Sequence, residues 1–338
     1  MNIKIWIKIK NSKLEFMKVL VTGSLAYDRI MDFPGKFSDH ILPDKIHQLN
    51  LSFLVKDLKE SFGGTAGNIA YNLALLGLKP SILTNVGAKD FLPYQKWLKK
   101  NKIDLSQIKI LPNQQTASAY IITDQVDNQI VGFYPGAMSR PLKADLKSQI
   151  SNLKSEMAIV SPQNPVDMFK LPEIFQRKKI PYIFDPGQQV STLSGNQLKQ
   201  AILGSEVLIG NDYEISLINK KTGWSEKTIL QKTKLFVTTL GKNGSIIKYR
   251  DPLAAFGGFR MTRIPPAKPK NTSDPTGAGD AYRAGLIYGL LKNWPLPKVG
   301  RLAGLVAVYT VEKYGTQTHH FDWLDLKKRY WQNFKENL

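Results

Sequence analysis

At 338 residues, with 42% hydrophobic and 22% charged positions, the chain has the composition of an ordinary soluble globular protein and room for one large α/β domain. The absence of cysteine excludes disulfides and thiolate metal sites and fits a reducing cytoplasm, while His40, His47, His319 and His320 show no metal-ligand spacing and His319-His320 reads as a surface pair. No apolar run approaches the roughly 20 residues that span a bilayer, and the net charge of +20 comes from lysines scattered along the whole chain, which points to a lysine-rich solvated surface rather than a nucleic-acid partner.

Residues 1–10 alternate lysine with apolar side chains, and a second methionine, Met17, stands directly before the first strand, so 1–17 read as an N-terminal extension, with an added edge strand as the alternative; the folded domain then covers 18–338. Core strands are expected at 18–22, 81–86, 157–161, 181–185, 206–210, 235–240 and 244–249. Helices are expected at 65–77, 92–101, 167–178, 197–203, 212–220, 225–233, 278–292 and 297–313. This alternation predicts βαβ units, a doubly wound α/β fold and a mainly parallel sheet. Two segments break the rhythm, about 29–62 and 115–135. They hold extended runs such as Ser52-Phe-Leu-Val55 and Ala119-Tyr-Ile-Ile-Thr123 without long helices, and could pair into a small projecting sheet.

Five stretches carry chemistry. Gly23-Ser-Leu-Ala-Tyr-Asp28 follows the first strand, where doubly wound sheets bind ligands, and Asp28 can accept hydrogen bonds from a vicinal diol or make a local Asx-turn; Asp32 is its competitor. Phe62-Gly-Gly-Thr-Ala-Gly-Asn68 places Gly63 and Gly64 before a helix. There Asn68 suits sugar hydroxyls, or satisfies the local backbone around a glycine hinge. Asn211-Asp-Tyr-Glu214 opens a helix that Asn211 can cap. Thr239, Gly241 and Gly244 occupy a turn between two strands.

The fifth stretch, Asp274-Pro-Thr-Gly-Ala-Gly-Asp280, leads into an amphipathic helix. Gly277, Ala278 and Gly279 leave backbone N–H groups open at a helix N-terminus, where the dipole favours anions. A carboxylate beside an anion hole would repel a bound phosphate. It makes sense if Asp280 takes the proton of an attacking hydroxyl.

In this order and spacing, the segments resemble the ribokinase-like (PfkB) carbohydrate and nucleoside kinases, and the resemblance covers most of residues 18–320. It implies a ribokinase-like core with a small β lid, ATP as phosphoryl donor and Mg2+ as its metal. Asp280 would be the general base and the amides of Gly277, Ala278 and Gly279 the anion hole. Asp28 would grip the diol, with Gly63, Gly64 and Asn68 lining the sugar. Asn211 and Glu214 would act on the metal through water, and Thr239, Gly241 and Gly244 would contact ATP. Asp274 and Thr276 match part of a K+ site found in some members, which Tyr314-Gly-Thr316 does not complete. Arg283 is less typical: it could face phosphate, although a solvated arginine is the default.

The stretch from Gly23 to Lys59 and the run Asp274–Gly285 look most like the bacterial adenosine kinase branch. Phe53, Tyr120, Phe133 and Tyr134 could stack on a purine or pack within the lid. The expectation is therefore ATP-dependent phosphorylation of the 5′-hydroxyl of adenosine to AMP, in the cytoplasm, with no nucleic-acid or membrane partner and a possible homodimer through the lid. A sugar kinase of the ribokinase or fructokinase type is the alternative, and a non-catalytic nucleotide or nucleic-acid binder a third.

Overall fold

The computed structural model describes residues 17–41, 50–126, 128–142, 150, 155–251 and 258–338; the extension expected before Met17 lies outside them. Runs such as Val19-Leu-Val21, Met157-Ala-Ile-Val160 and Val207-Leu-Ile209 are apolar at every position, which suits strands covered on both faces. They form the centre of a nine-stranded sheet. In spatial order it contains β13 (Phe259–Ile264), β12 (Ser245–Arg250), β11 (Leu235–Thr239), β10 (Val207–Asn211), β9 (Tyr182–Phe184), β8 (Met157–Val160), β1 (Lys18–Thr22), β4 (Lys79–Gly87) and β5 (Ile108–Leu111). From β5 to β11 neighbouring strands are parallel; β12 and β13 close the far edge antiparallel.

Alternate side chains enter two separate cores. Val19, Val21, Val207 and Ile209 pack with α1 (Thr65–Leu75), α2 (Phe91–Lys100), α7 (Ala278–Leu291), α8 (Leu296–Val311) and α9 (Trp323–Phe334). Leu20, Ala158, Val160 and Leu208 pack with α3 (Pro165–Lys178), α4 (Gly195–Ile202), α5 (Asp212–Thr222) and α6 (Glu226–Lys232). Each fully buried valine, leucine or isoleucine among them contributes about 1.5–3 kcal/mol. This double cover makes the sheet a rigid frame for the loops at its strand ends.

The two helix-poor segments contribute a second, four-stranded sheet, ordered β3 (Asp57–Gly63), β2 (Ala26–Asp32), β6 (Ala117–Thr123), β7 (Gln129–Tyr134). Here the structure corrects several expectations. Asp28 lies inside β2, paired with Ser61 on one side and Ala119 on the other, so it makes no loop turn. Ser52–Val55 is not a strand; pairing begins at Asp57, because the register against β2 is set by Ala26 facing Gly63. Helix α9 and strands β5 and β13 were not anticipated. The two strands are edge strands, and α9 lays an apolar face that includes Leu326 and Tyr330 against the first core.

Candidate active site

The strand order reverses between β1 and β8, since the chain leaves β1 toward β4 and returns later on the opposite side. Open α/β sheets bind ligands at the carboxyl ends of the strands beside such a reversal. The predicted residues gather on that side.

Helix α7 is preceded by its N-cap Gly277, whose φ of 76° is left-handed and whose added Cβ would sit 2.9 Å from the Thr316 side chain. Only glycine takes this conformation at no steric cost. The N–H of Ala278 is already donated to Pro275 O at 3.2 Å. The open amides are therefore those of Gly277, Gly279 and Asp280, which have no partner among the described residues. Of the three amides expected to be open at 277–279, that of Ala278 is therefore taken up by the Pro275 turn, while the N–H of Asp280 is open as well.

Asn68 Nδ2 donates to Asp280 Oδ2 at 2.8 Å, from the first turns of α1. Burial pushes the Asp280 carboxyl up to about 7, with Asp185 and Asp28 adding to the rise, while the Arg283 guanidinium and the Asn68 hydrogen bond oppose it. A carboxyl poised there can hold or release a proton near neutral pH. Asn68, expected among the sugar ligands, spends its other end inside the protein: its Oδ1 accepts from Thr316 Oγ1 at 2.7 Å and Gln317 Nε2 at 3.0 Å.

Arg283 is not solvated. It is 6% exposed and forms a two-pronged pair with Asp185, itself 1% exposed, while its Nη1 donates to Gly279 O at 2.9 Å. Its guanidinium also acts on Asp280 and Glu214. One buried cation thus compensates three carboxylates and braces the first turn of α7. Asp185 escaped the sequence reading. Its signal was there: an acidic residue directly after the apolar strand Tyr182-Ile-Phe184 and before Pro186-Gly187.

Asp28 stands on β2 with its carboxyl against Gly63, where a Cβ would lie 2.2 Å from Asp28 Oδ2. Burial, then the charge of Asp274, push Asp28 up to about 6. Gly64, with φ 85°, lets β3 pass close to β1's exit; a Cβ there would meet Ser24 O at 2.6 Å. Asp274 accepts from the N–H of Thr276 at 2.9 Å and of Gly315 at 3.1 Å, tying the α7 approach to the turn after α8.

At the ends of β10 and β11 lie the residues expected to meet ATP. Asn211 caps α5 in a reciprocal box with Glu214, at 2.7 and 2.8 Å. That box uses Glu214 Oε2; Oε1 has no partner among the described residues, and burial followed by the charge of Asp185 raises the Glu214 carboxyl. Thr239 approaches Gly210 O at 3.5 Å. Gly241 faces open space, whereas Gly244 sits against β13, where a Cβ would be 2.1 Å from Ile264 O. Among the described residues no group of three His, Cys, Asp or Glu side chains could cage a metal, and no helix is long and apolar enough to cross a membrane. His319, expected on the surface beside the exposed His320, is 1% exposed, and burial lowers its imidazole to about 4.

A half-buried carboxylate thus stands beside three open amides, with a second carboxylate on the smaller sheet, and such a set of groups can accept the proton of an alcohol next to a bound anion. The pfkB family carbohydrate kinase model matches residues 19–322, and the chain belongs to that family. It is therefore an ATP-dependent phosphotransferase with a ribokinase-like fold. It is 32% identical over 316 residues to a nucleoside kinase of Methanothermobacter thermautotrophicus, covering 92% of this chain and 95% of that one. Among solved structures it resembles Burkholderia thailandensis nucleoside kinase in complex with inosine, with a TM-score of 0.81 and 35% identity over 94% of this chain and 99% of that one. The complex of the same kinase with ADP-inosine aligns at a TM-score of 0.79 and 36% identity, over 94% and 97% of the two chains.

Proposed function

We propose that the protein transfers the γ-phosphoryl group of ATP to the 5′-hydroxyl of a purine nucleoside, adenosine being the acceptor expected from the sequence. The observation that carries this reading is Asp280, a carboxyl raised to about 7 beside the open amides of Gly277, Gly279 and Asp280 itself. Asp280 takes the hydroxyl proton as the acceptor oxygen attacks. The new O–P bond forms, the bridge between γ-phosphorus and ADP breaks in line, and the open amides meet the charge spread over the transferring group. Asp28, on the facing sheet, grips the ribose hydroxyls.

Magnesium, when bound to the donor, would neutralise charge on its phosphates. The residues fit it: Asn211 and the free Oε1 of Glu214 would hold its water shell, and a cation there would relieve the carboxylate crowding around Asp185. Cytoplasmic action and pairing of two copies through the smaller sheet belong to this reading. The exposed Ile130 and Val131 on edge strand β7 support the latter.

Room for a base favours a nucleoside over a free sugar. A cavity of about 400 Å3 opens beside the end of β1, lined by Ser24, Pro162, Gln188, Gln189, Met138 and Phe133. Asp28 pairs with Ala119, and Ala119 with Phe133, so both side chains leave the same face of the smaller sheet. Tyr120 and Tyr134 leave the opposite face, and Phe53 packs against Phe33 and Phe37. Of the four aromatic candidates only Phe133 lines this cavity, which supports it as the ring that stacks on the base. Gln188 has no side-chain partner among the described residues, and Gln189 uses only its Nε2, toward Gln163 O at 3.1 Å. A free carboxamide pairs with the adjacent donor and acceptor of adenine. ADP release measured across adenosine, inosine, ribose and fructose tests this reading; turnover of a free sugar with none of either nucleoside would overturn it.

A further inference from the structure

Asp280 is reached by a chain of buried amides whose polarity has one possible direction. Trp97 Nε1, on α2, donates to Gln317 Oε1 at 3.0 Å. An indole nitrogen can only donate. Gln317 must therefore turn its oxygen toward Trp97 and its nitrogen away. That nitrogen donates to Asn68 Oδ1 at 3.0 Å and to Tyr94 Oη at 2.6 Å, and Tyr94 passes its own proton to Gly63 O at 2.8 Å. Asn68, with its oxygen held by Gln317 and Thr316, has only its NH2 group left for Asp280. Reversing Asn68 would set an oxygen against the carboxylate and an amine against an amine.

We propose that Gln317 is a positioning residue for the kinase reaction, acting through Asn68 to hold Asp280 in its ionised, proton-accepting form, with Trp97 setting the direction of the chain. The inference rests on Asp280 being the base. Gln317 and Asn68 are almost fully buried, come from separate elements and meet no other charged group. The arrangement is therefore not explained by helix capping or surface solvation. Donation to a carboxylate favours its charged state. The charged and titratable groups around Asp280 are Arg283 on its own helix, Asp185 after β9, Asp28 on β2 and Tyr94 on α2. Of these only Arg283 favours ionisation, so the Asn68 contact is the second restraint.

The test is the pH profile of kcat/KM for Gln317→Leu and, as a milder change that keeps the ring, Trp97→Phe. With the donor chain cut, the acidic limb should move up by about one pH unit, giving roughly tenfold lower activity at pH 6 and little loss at pH 9. Trp97→Phe should move it the same way by less, and gives the reading if Gln317→Leu does not fold. A uniform loss at all pH values, or an unmoved limb in a folded variant, overturns the proposal. Asp280→Asn in the same assay separates the two levels. If it keeps wild-type activity the base assignment fails, whereas if activity is lost but the limb stays fixed in both network variants, only the positioning role fails.

Discussion

Replacing Asp280 by asparagine should cripple the enzyme and stabilise it at once, in a pH window the structure defines. The ordinary aspartate titrates at 3.8, and Asp280 at about 7, chiefly because burial disfavours its charge. Each pH unit of such a displacement is worth about 1.4 kcal/mol. With the folded-state value raised, the folded protein holds this proton more tightly than the unfolded chain does. That contribution is fully present below pH 3.8 and is lost as pH rises to about 7. Asparagine carries no charge in either state, so its advantage over aspartate grows across the same interval and levels off above it. Asp280 is half-buried, which leaves part of the effect screened, so about 2 kcal/mol is expected between pH 5 and pH 8. Thermal melts of the two ligand-free proteins at those pH values should show the variant gaining a few degrees at pH 8 relative to its difference at pH 5. Meanwhile kcat should fall by roughly 10²–10⁴, the usual scale for losing a general base. A variant equally or less stable at pH 8, with the same difference at pH 5, would refute the claim that this carboxyl is held in the cleft at electrostatic cost.

Further outcomes follow from other parts of the cleft. Asp28→Ala should raise the KM for the acceptor while leaving that for ATP nearly unchanged; loss of ATP affinity alone would mean the two pockets are exchanged. Gly63→Ala should imitate it, because the new methyl falls 2.2 Å from Asp28 Oδ2 and must displace the carboxylate. Arg283→Met leaves Asp185 buried without its cation, which should cost about 3–5 kcal/mol in denaturant titrations; a cost below about 1 kcal/mol would show that water already reaches the pair. Phe133→Ala should weaken adenosine by up to about tenfold, the worth of a stacked ring, and leave any ribose turnover untouched.

Local chemistry in the chain was enough to announce open amides at the start of α7, since glycines and small residues before an amphipathic helix leave N–H groups without intrahelical partners. It also announced the two-sided parallel strands, because a run such as Val207-Leu-Ile209 can be stable only under cover on both faces. Asn211 with Glu214 was legible for the same reason: a capping box is made within four residues. The role of Arg283 was not, as its partner Asp185 is 98 residues away and no pattern around either residue names the other. The same holds for Asn68 and Gln317, 249 residues apart in sequence and joined only when α1 and the turn after α8 pack together. Which lid aromatic faces the cleft was decided by the β2–β6–β7 register, where a one-residue slip would have presented Tyr134 or Tyr120 in place of Phe133. Sequence-local bonds could be read from the chain itself. Arg283 sits on the same helix as Asp280, but the carboxylates of Asp185 and Asp28 and the amide of Asn68 that also set its state come from distant segments, and only the packed fold brings them close.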